Sequence, residues 1–320
     1  MEELRLMGRP FELFFDLMKD LILQAYYMGI KEVYFVGGEP LIEQRIFDLV
    51  VHATQRGMRA VMNTNGLLLN DEKMNKIFDS GLSCLTFSID GPDKETYEKI
   101  RGERIFEDVM NNLRSLLAKR RERKLRQPAI TILCTVMKQN INRLPDMVAL
   151  AKKLGVDSVQ FQPVVPDNTD QSLDVASDTW IDQENYKILD DCIDEIIRLK
   201  KNEFSGFITS SFQQLELTKL YFRKKMPIVR SCYIGFSRLI VTQDHKLYFC
   251  AQDPLTGDTS FGDVSSVPLR KMWVSKEARK FRKHIKNCKR PCLLFCSYRS
   301  EFDALRDRFH KVMHVFSNPL

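Results

Sequence analysis

Val33-Tyr34-Phe35-Val36-Gly37-Gly38-Glu39-Pro40 is the stretch on which the fold turns. Four residues suited to extended backbone run into two glycines, an acid and a proline, and an amphipathic segment, Leu41 to Gln55, follows. That order reads as strand, tight turn and helix, with Pro40 near the first helical turn, where its missing N–H costs nothing. The glycine pair also allows something further. Neither glycine has a Cβ and both can take positive φ, so the backbone itself can approach a ligand. An α/β barrel places its active-site loops at this end of its strands. Taken alone, these residues are equally well explained as a structural turn.

The same grammar repeats downstream. Further β-rich runs lie at Arg59 to Met62, Leu85 to Ile89, Ile130 to Val136 and Ser158 to Phe161, with amphipathic segments such as Asp71 to Phe78 and Leu144 to Leu154 among them. Gly29, Gly57, Gly81 and Gly155 each fall between a helical pattern and a strand, where a left-handed C-cap is wanted. Strand-loop-helix repeats build a parallel sheet, because parallel strands need a crossover and a helix is the usual one. Upstream of Val33 the chain carries a helical pattern, Phe11 to Met28, and no β-run before it. Five strands are therefore expected where a barrel is better served by six, leaving a parallel edge to be protected.

From about Thr179 the repeat stops. Helical patterns fill Ile181 to Lys201; then come a hairpin pattern, Arg238 to Thr242 and Lys246 to Cys250, a loop with Gly257 and Gly262, a helix from Lys276 to Ile285, and a last helix to about Val315. This divides the chain into a partial barrel at 1–178, a helical connection at 179–230, a small cysteine-rich α+β domain at 231–300 and a C-terminal helix at 301–320.

With 320 residues and 44% hydrophobic content the chain can bury a sizeable core. No run of eighteen uncharged apolar residues occurs and the N-terminus opens on acidic residues, so neither a membrane span nor a secretory signal is expected. A cytoplasmic protein follows. The net charge of +7 is modest, and its densest run, Lys119-Arg120-Arg121-Glu122-Arg123-Lys124-Leu125-Arg126, has no interleaved aromatics. It reads as a solvated helix end, and nucleic acid is not the expected partner. Of eight cysteines, Cys84, Cys134 and Cys192 sit inside strand or helix patterns as small hydrophobes, while Cys232, Cys250, Cys288, Cys292 and Cys296 gather late. Such a cluster without an export signal points to metal ligands more than to disulfides. His310 and His314 have a chelating spacing but no evident third ligand, and read as packing or surface residues.

The other strand ends are also polar where a bare turn would not require it: Asn63-Thr64-Asn65-Gly66, Ser88-Ile89-Asp90-Gly91, and Gln160-Phe161-Gln162-Pro163-Val164. GGEP, then N-T-N-G, then S-I-D-G followed by Tyr97-Glu98-Lys99-Ile100-Arg101-Gly102, in this order and spacing, resembles the radical S-adenosylmethionine (SAM) superfamily. The resemblance implies a partial (β/α)6 TIM-type barrel lacking its first strand. It implies that Gly37, Gly38, Glu39 and Pro40 bind the methionine amino group of SAM through their backbone. Asn65, Ser88 and Asp90 would contact ribose and carboxylate, Arg101 is a further candidate for the carboxylate, and Gln162 to Val164 would flank the adenine. Asn140, in the turn after a later strand, is assigned a structural role.

The region from 230 to 300 carries a second resemblance. Cys232-x17-Cys250 frames a hairpin, and Gly262-Asp263-Val264, Met272-Trp273 and Phe281-Arg282 lead to Cys288-x3-Cys292-x3-Cys296. This is similar to the SPASM and twitch extensions that hold auxiliary 4Fe-4S clusters. Thiolates are the ligands such clusters require. Five cysteines are too few for two full clusters. Four thiolates also suit zinc, so the second reading is a non-catalytic barrel whose cysteine knot is a structural metal site and binding module.

For the intact protein the resemblance implies reductive cleavage of SAM to a 5'-deoxyadenosyl radical that abstracts hydrogen from a peptide or small-molecule substrate. An electron donor such as flavodoxin or ferredoxin would serve it. Asp253 is the one candidate for a base, and no catalytic residue is assigned. The family's C-x3-C-x2-C loop, which holds its catalytic cluster, has no counterpart here, since no cysteine precedes Cys84. The expectation is that Met1 is internal to a longer natural protein whose upstream part carries that loop and the first strand, with true loss of the radical cluster as the rival. The chain as it stands is expected to be inactive.

Overall fold

A computed structural model describes residues 11–102, 104–165, 179–225, 234–250 and 260–285. Its centre is a five-stranded sheet, β1 (Glu32–Phe35), β2 (Arg59–Thr64), β3 (Cys84–Ser88), β4 (Ala129–Val136) and β5 (Ser158–Pro163), with spatial order equal to chain order. Every pairing is parallel, with Tyr34 opposite Val61, Met62 opposite Leu85, Phe87 opposite Ile132 and Thr135 opposite Gln162. The helices that return the chain are α2 (Ile46–Thr54), α3 (Asp71–Asp79), α4 (Lys94–Arg101), α5 (Phe106–Glu122) and α6 (Leu144–Leu154), preceded by α1 (Phe11–Tyr27). The partial barrel expected from the strand-helix repeat is thus the observed architecture.

Local chemistry starts these helices. The Asn70 side chain accepts from Lys73 N and Asp93 from Thr96 N, both at 2.9 Å, each satisfying an otherwise orphaned first-turn donor. Gly29, Gly57, Gly81 and Gly155 all take positive φ, between +73° and +80°. Between sheet and helices lies one core in which Met62, Leu85, Phe87, Ile130, Ile132, Val159, Val109, Leu113 and Leu116 are wholly buried.

Gly91, just beyond β3, is placed where α4 crosses close: a Cβ there would meet Tyr97 N at 2.4 Å and its Cα at 2.8 Å. Backbone cannot step aside as a side chain can. Gly91→Ala is therefore expected to destabilise the protein by about 1–3 kcal/mol, the usual cost of overpacking, read as a lowered midpoint in thermal or urea unfolding. An unchanged midpoint would mean that α4 is free to shift.

At the β5 edge of the sheet, opposite β1, the chain adds a short pairing. Beyond β5 the chain forms α7 (Tyr186–Asn202), then a short extended piece, then α8 (Phe212–Phe222). In that piece Ile208 forms a parallel bridge with Val159. Val159 N donates to Phe207 O and Thr209 N to Val159 O, both at 2.9 Å, and the Ser210 hydroxyl donates to Phe161 O at 3.0 Å while accepting from Phe161 N at 2.8 Å. The segment read only as a helical connection thus contributes a rudimentary sixth strand. Lys200, largely buried, closes its turn by donating to the carbonyls of Ser205 and Ile208.

Two other expectations need correction. The basic run is not merely a solvated helix end: Arg120 is buried and pairs with Asp157 while donating to Pro128 O at 2.9 Å, and Arg123 pairs with Asp79 at 3.0 Å. The run's first half is a clamp across sheet and helices. Among the scattered cysteines only Cys134 is buried; Cys84 and Cys192 are half-buried, with Cys84 Sγ beside the hydroxyls of Thr86 and Thr131. Burial, reinforced by the nearby Asp90 charge, keeps the Cys134 thiol protonated.

The C-terminal part has its own core. After α9 (Ile234–Ser237), strands β6 (Ile240–Val241) and β7 (Leu247–Tyr248) pair antiparallel, a shorter hairpin than the pattern predicted, with His245 at φ +63° in the turn. Phe261 N donates to Leu247 O at 2.8 Å and Leu247 N to Gly262 O at 3.1 Å, so the following loop adds to the hairpin. Helices α10 (Leu269–Trp273) and α11 (Lys276–Ile285) close over it, burying Leu247, Phe249, Val264, Met272 and Phe281. Helix α1 serves both cores, Phe15 and Ile22 facing the first and Leu21 the second, and Gln24 Oε1 accepts from Leu269 N at 2.8 Å.

Candidate active site

Because all five strands are parallel, their C-terminal ends share one edge of the sheet, and the polar turns come with them. Gly37 leaves β1 at φ +132°, a conformation L side chains rarely adopt, and a Cβ at Gly37 or Gly38 would meet nothing within 4 Å. Open space therefore lies over both glycines. Glu39 holds the turn: its carboxylate accepts from Leu41 N at 3.1 Å, the Thr64 hydroxyl at 2.9 Å and Asn65 N at 2.7 Å. Pro40 opens the short 3-10 turn that follows. Asn65 Oδ1 is taken up locally by Leu67 N at 2.9 Å.

At the end of β3, Asp90 is 3% exposed and fully engaged. Its Oδ1 accepts from Thr135 N at 2.7 Å and its Oδ2 pairs with Arg101 Nη2 at 2.6 Å. Arg101 also donates to Ser88 O at 3.2 Å, yet its Nε is buried without a partner. Asn140, wholly buried, donates to Asp90 O and Thr135 O, both at 2.7 Å, and accepts from Met137 N at 3.0 Å. It locks the ends of β3 and β4 together. Beyond β5, Val164 N donates to Val136 O and Val164 O accepts from the Tyr221 hydroxyl, both at 2.9 Å, and half-buried Gln162 lies opposite Thr135 in the ladder.

The sequence-derived residues separate by what they have left to offer. The Glu39 and Asp90 carboxylates are consumed as braces between strand ends. What remains unspent is the Gly37-Gly38 backbone, with open space over it, the half-buried Ser88 hydroxyl, and the buried Arg101 Nε. An open glycine turn and an unpartnered cationic N–H toward the same edge of the sheet fit a small ligand carrying both amino and carboxylate groups, as SAM does. Beside this edge a cleft of about 640 Å³ is lined by Lys99, Lys138, Gln139, Ile141, Asn142, Asn185 and Ile188. Sequence reading had no means of finding it, since α4, the β4 turn and the start of α7 meet only in the fold.

Of the late cysteines only Cys250 is described. It is half-buried at the end of the hairpin, directly after Phe249, whose ring stacks on Phe261 with centroids 4.1 Å apart. Cys232, Cys288, Cys292, Cys296, Asp253, His310 and His314 lie outside the described residues, as does the predicted last helix. Among the described residues no three His, Cys, Asp or Glu side chains gather as a metal site, and no helix is long and apolar enough to cross a membrane. The described part of this domain does fit an anionic group nearby: the Arg282 guanidinium keeps a buried Nη2 without a partner.

Residues 4–151 match the family model described as the Radical SAM superfamily, and residues 232–297 match SPASM, described as an iron-sulfur cluster-binding domain. The chain is 24% identical over 305 residues to the tungsten-containing aldehyde ferredoxin oxidoreductase cofactor-modifying protein of Pyrococcus furiosus, covering 92% of this chain and 81% of that protein. It is 25% identical over 302 residues to the AdoMet-dependent heme synthase of Methanosarcina barkeri, covering 93% and 83%. The solved structure of native anSMEcpe with bound AdoMet and Kp18Cys peptide superposes with a TM-score of 0.64 at 15% identity, covering 85% of this chain and 75% of that one, which speaks to the fold.

Proposed function

The chain belongs to the radical SAM superfamily and carries a SPASM domain, and from this premise we propose that its strand-end edge binds SAM for hydrogen abstraction from a peptide or small-molecule substrate. Members of this family are enzymes, and its cofactors are SAM and 4Fe-4S clusters. One observation carries the proposal: the open Gly37-Gly38 turn after β1, Ser88 at the end of β3, and Arg101 of α4, whose Nε lacks a partner while its Nη2 donates to Ser88 O, all lie toward the C-terminal edge of the parallel sheet.

SAM with a reduced cluster supplies the radical chemistry when bound. The protein's residues bind and orient. The Gly37-Gly38 backbone receives the amino group, with Glu39 bracing the turn and Pro40 ending it. Arg101 Nε receives the carboxylate, Asn65 and Ser88 address ribose hydroxyls, and Gln162 and Val164 flank the adenine. Asp90 acts as a positioning residue, since its carboxylate holds Arg101 in place. Four of the five late cysteines, Cys232, Cys250, Cys288, Cys292 and Cys296, hold an auxiliary cluster. For the domain division, with proposed boundaries at 178, 230 and 300, the two hydrophobic cores support a barrel part distinct from the later hairpin part, but the first core runs on through Trp180 to Phe222, so the helical connection packs as part of the barrel.

One finding supports a peptide substrate class: the anSMEcpe neighbour holds a peptide alongside AdoMet. A flavodoxin- or ferredoxin-type protein is the proposed electron donor and the cytoplasm the proposed compartment.

The test begins with protein prepared anaerobically. About four irons per chain and a broad absorbance near ~400 nm are expected for one cluster; stoichiometric zinc without iron would remove it. In SAM titrations, Arg101→Met should weaken binding about tenfold or more, since losing one charged hydrogen bond costs about 1.5–3 kcal/mol, and Gly37→Val should weaken it by filling the open space over the turn and straining a backbone held at φ +132°. Unaltered affinity in both variants would place SAM elsewhere. A polypeptide of these 320 residues has no cysteine before Cys84. Such a polypeptide is expected to bind SAM yet release no 5'-deoxyadenosine under reduction.

A further inference from the structure

Arg282, on α11, is a half-buried cation with no anionic partner among the described residues. Its Nε donates to Gly235 O and its Nη1 to Trp273 O, both at 2.7 Å. The guanidinium lies over the rings of Trp273, Phe249 and Phe236 at 4.1, 5.2 and 5.3 Å. Its third nitrogen, Nη2, is buried with no hydrogen-bond partner, and no carboxylate pairs with it among the described residues. Burial lowers the guanidinium from its ordinary value, and no acidic neighbour offsets that effect.

Stacking and two carbonyls explain how the side chain is held, but not why one charged donor is left bare in an apolar setting, which is costly unless something anionic completes it. The contacts of Arg282 fall on the segments that lead to the late cysteines. Gly235 follows Cys232 by three residues, Phe249 immediately precedes Cys250, and α11 ends at Ile285, three residues before Cys288. Three residues of chain span no more than roughly 11 Å.

We propose that Arg282 is a positioning residue of the auxiliary cluster, its free Nη2–H donating to a thiolate or sulfide sulfur and raising the cluster's reduction potential. This rests on the reading of the late cysteines as an iron-sulfur centre. A four-thiolate cluster is anionic and gains one more negative charge on reduction. A fixed cation and a hydrogen bond to sulfur therefore favour the reduced form.

The experiment is a redox titration of the anaerobic holoprotein, followed by electron paramagnetic resonance, for wild type, Arg282→Gln, Arg282→Lys and Lys283→Gln. Arg282→Gln is expected to keep its iron, titrate at a more negative potential and show altered g values. Arg282→Lys should fall between it and wild type, keeping the charge but losing the fork. Lys283→Gln, at an exposed neighbour, should titrate as wild type. Wild-type titration by Arg282→Gln, or an equal shift in Lys283→Gln, overturns the inference. If Arg282→Gln loses its iron, Arg282→Lys decides: a shifted potential supports the role and an unshifted one overturns it. Zinc without iron in the wild type would sink the cluster reading itself, a distinct failure because no variant is needed to see it.

Discussion

Replacing Asn140 by alanine is expected to lower the stability of the protein by about 2–4 kcal/mol, because it strips partners from several buried groups at once. The Asn140 side chain is wholly buried and satisfies two carbonyls, Asp90 O and Thr135 O, and one amide, Met137 N. The bonds to Asp90 O and Met137 N are buried, so those two groups retain their desolvation cost when the partner goes, while half-buried Thr135 O keeps part of it. Asn140→Asp should do no better. It keeps an acceptor for Met137 N but puts a carboxylate oxygen against two carbonyls that need donors, and it buries a charge. Urea unfolding monitored by circular dichroism measures both. Wild-type midpoints in both variants would show that the ends of β3 and β4 are held by the sheet alone.

Asp90→Ala carries the second large effect, about 3 kcal/mol. Breaking a buried ion pair by removing one partner costs about 3–5 kcal/mol, but Arg101 is about one-third exposed and partly resolvates. Thr135 N, left facing an apolar methyl, adds to the loss. Asp90→Asn, which can still accept from Thr135 N, should cost markedly less. In SAM binding the order should differ: both variants release Arg101 and should weaken affinity alike, although only one is badly destabilised. Equal stability losses with unchanged affinity would refute the role of Asp90 in fixing Arg101. Since Asn140 donates to the Asp90 carbonyl and both side chains bridge to Thr135, Asp90→Ala and Asn140→Ala should not add: the double variant is expected to lose less than the sum.

The strands and most helices were readable because their signals are local. Val33 to Val36 and Arg59 to Met62 fall inside or within a residue of β1 and β2, and the glycines after helical patterns adopt the left-handed caps assigned to them. The extended piece around Ile208 was missed for the opposite reason. It is too short to show alternation, and its strand character comes from pairing with Val159, which no window of sequence contains. Arg120 was misjudged likewise: in a run of bases it looks solvated, and only β5 brings Asp157 to it.

What the sequence determined by itself was the parallel strand-helix order, the clustering of polar turns at strand ends, the late cysteine group and, through these, the family. Those features depend on side-chain period, glycine conformation and motif order, all written along the chain. Tertiary structure alone decided which polar side chains are spent and which are free. Glu39 reaches Asn65 across 26 residues and Asn140 reaches Asp90 across 50. Hydrogen bonds of that span are set by strand register, so the same Asp that resembles a ligand contact in sequence is a buried brace in the fold, and the unpaired nitrogens of Arg101 and Arg282 become visible only once everything around them has found its partner.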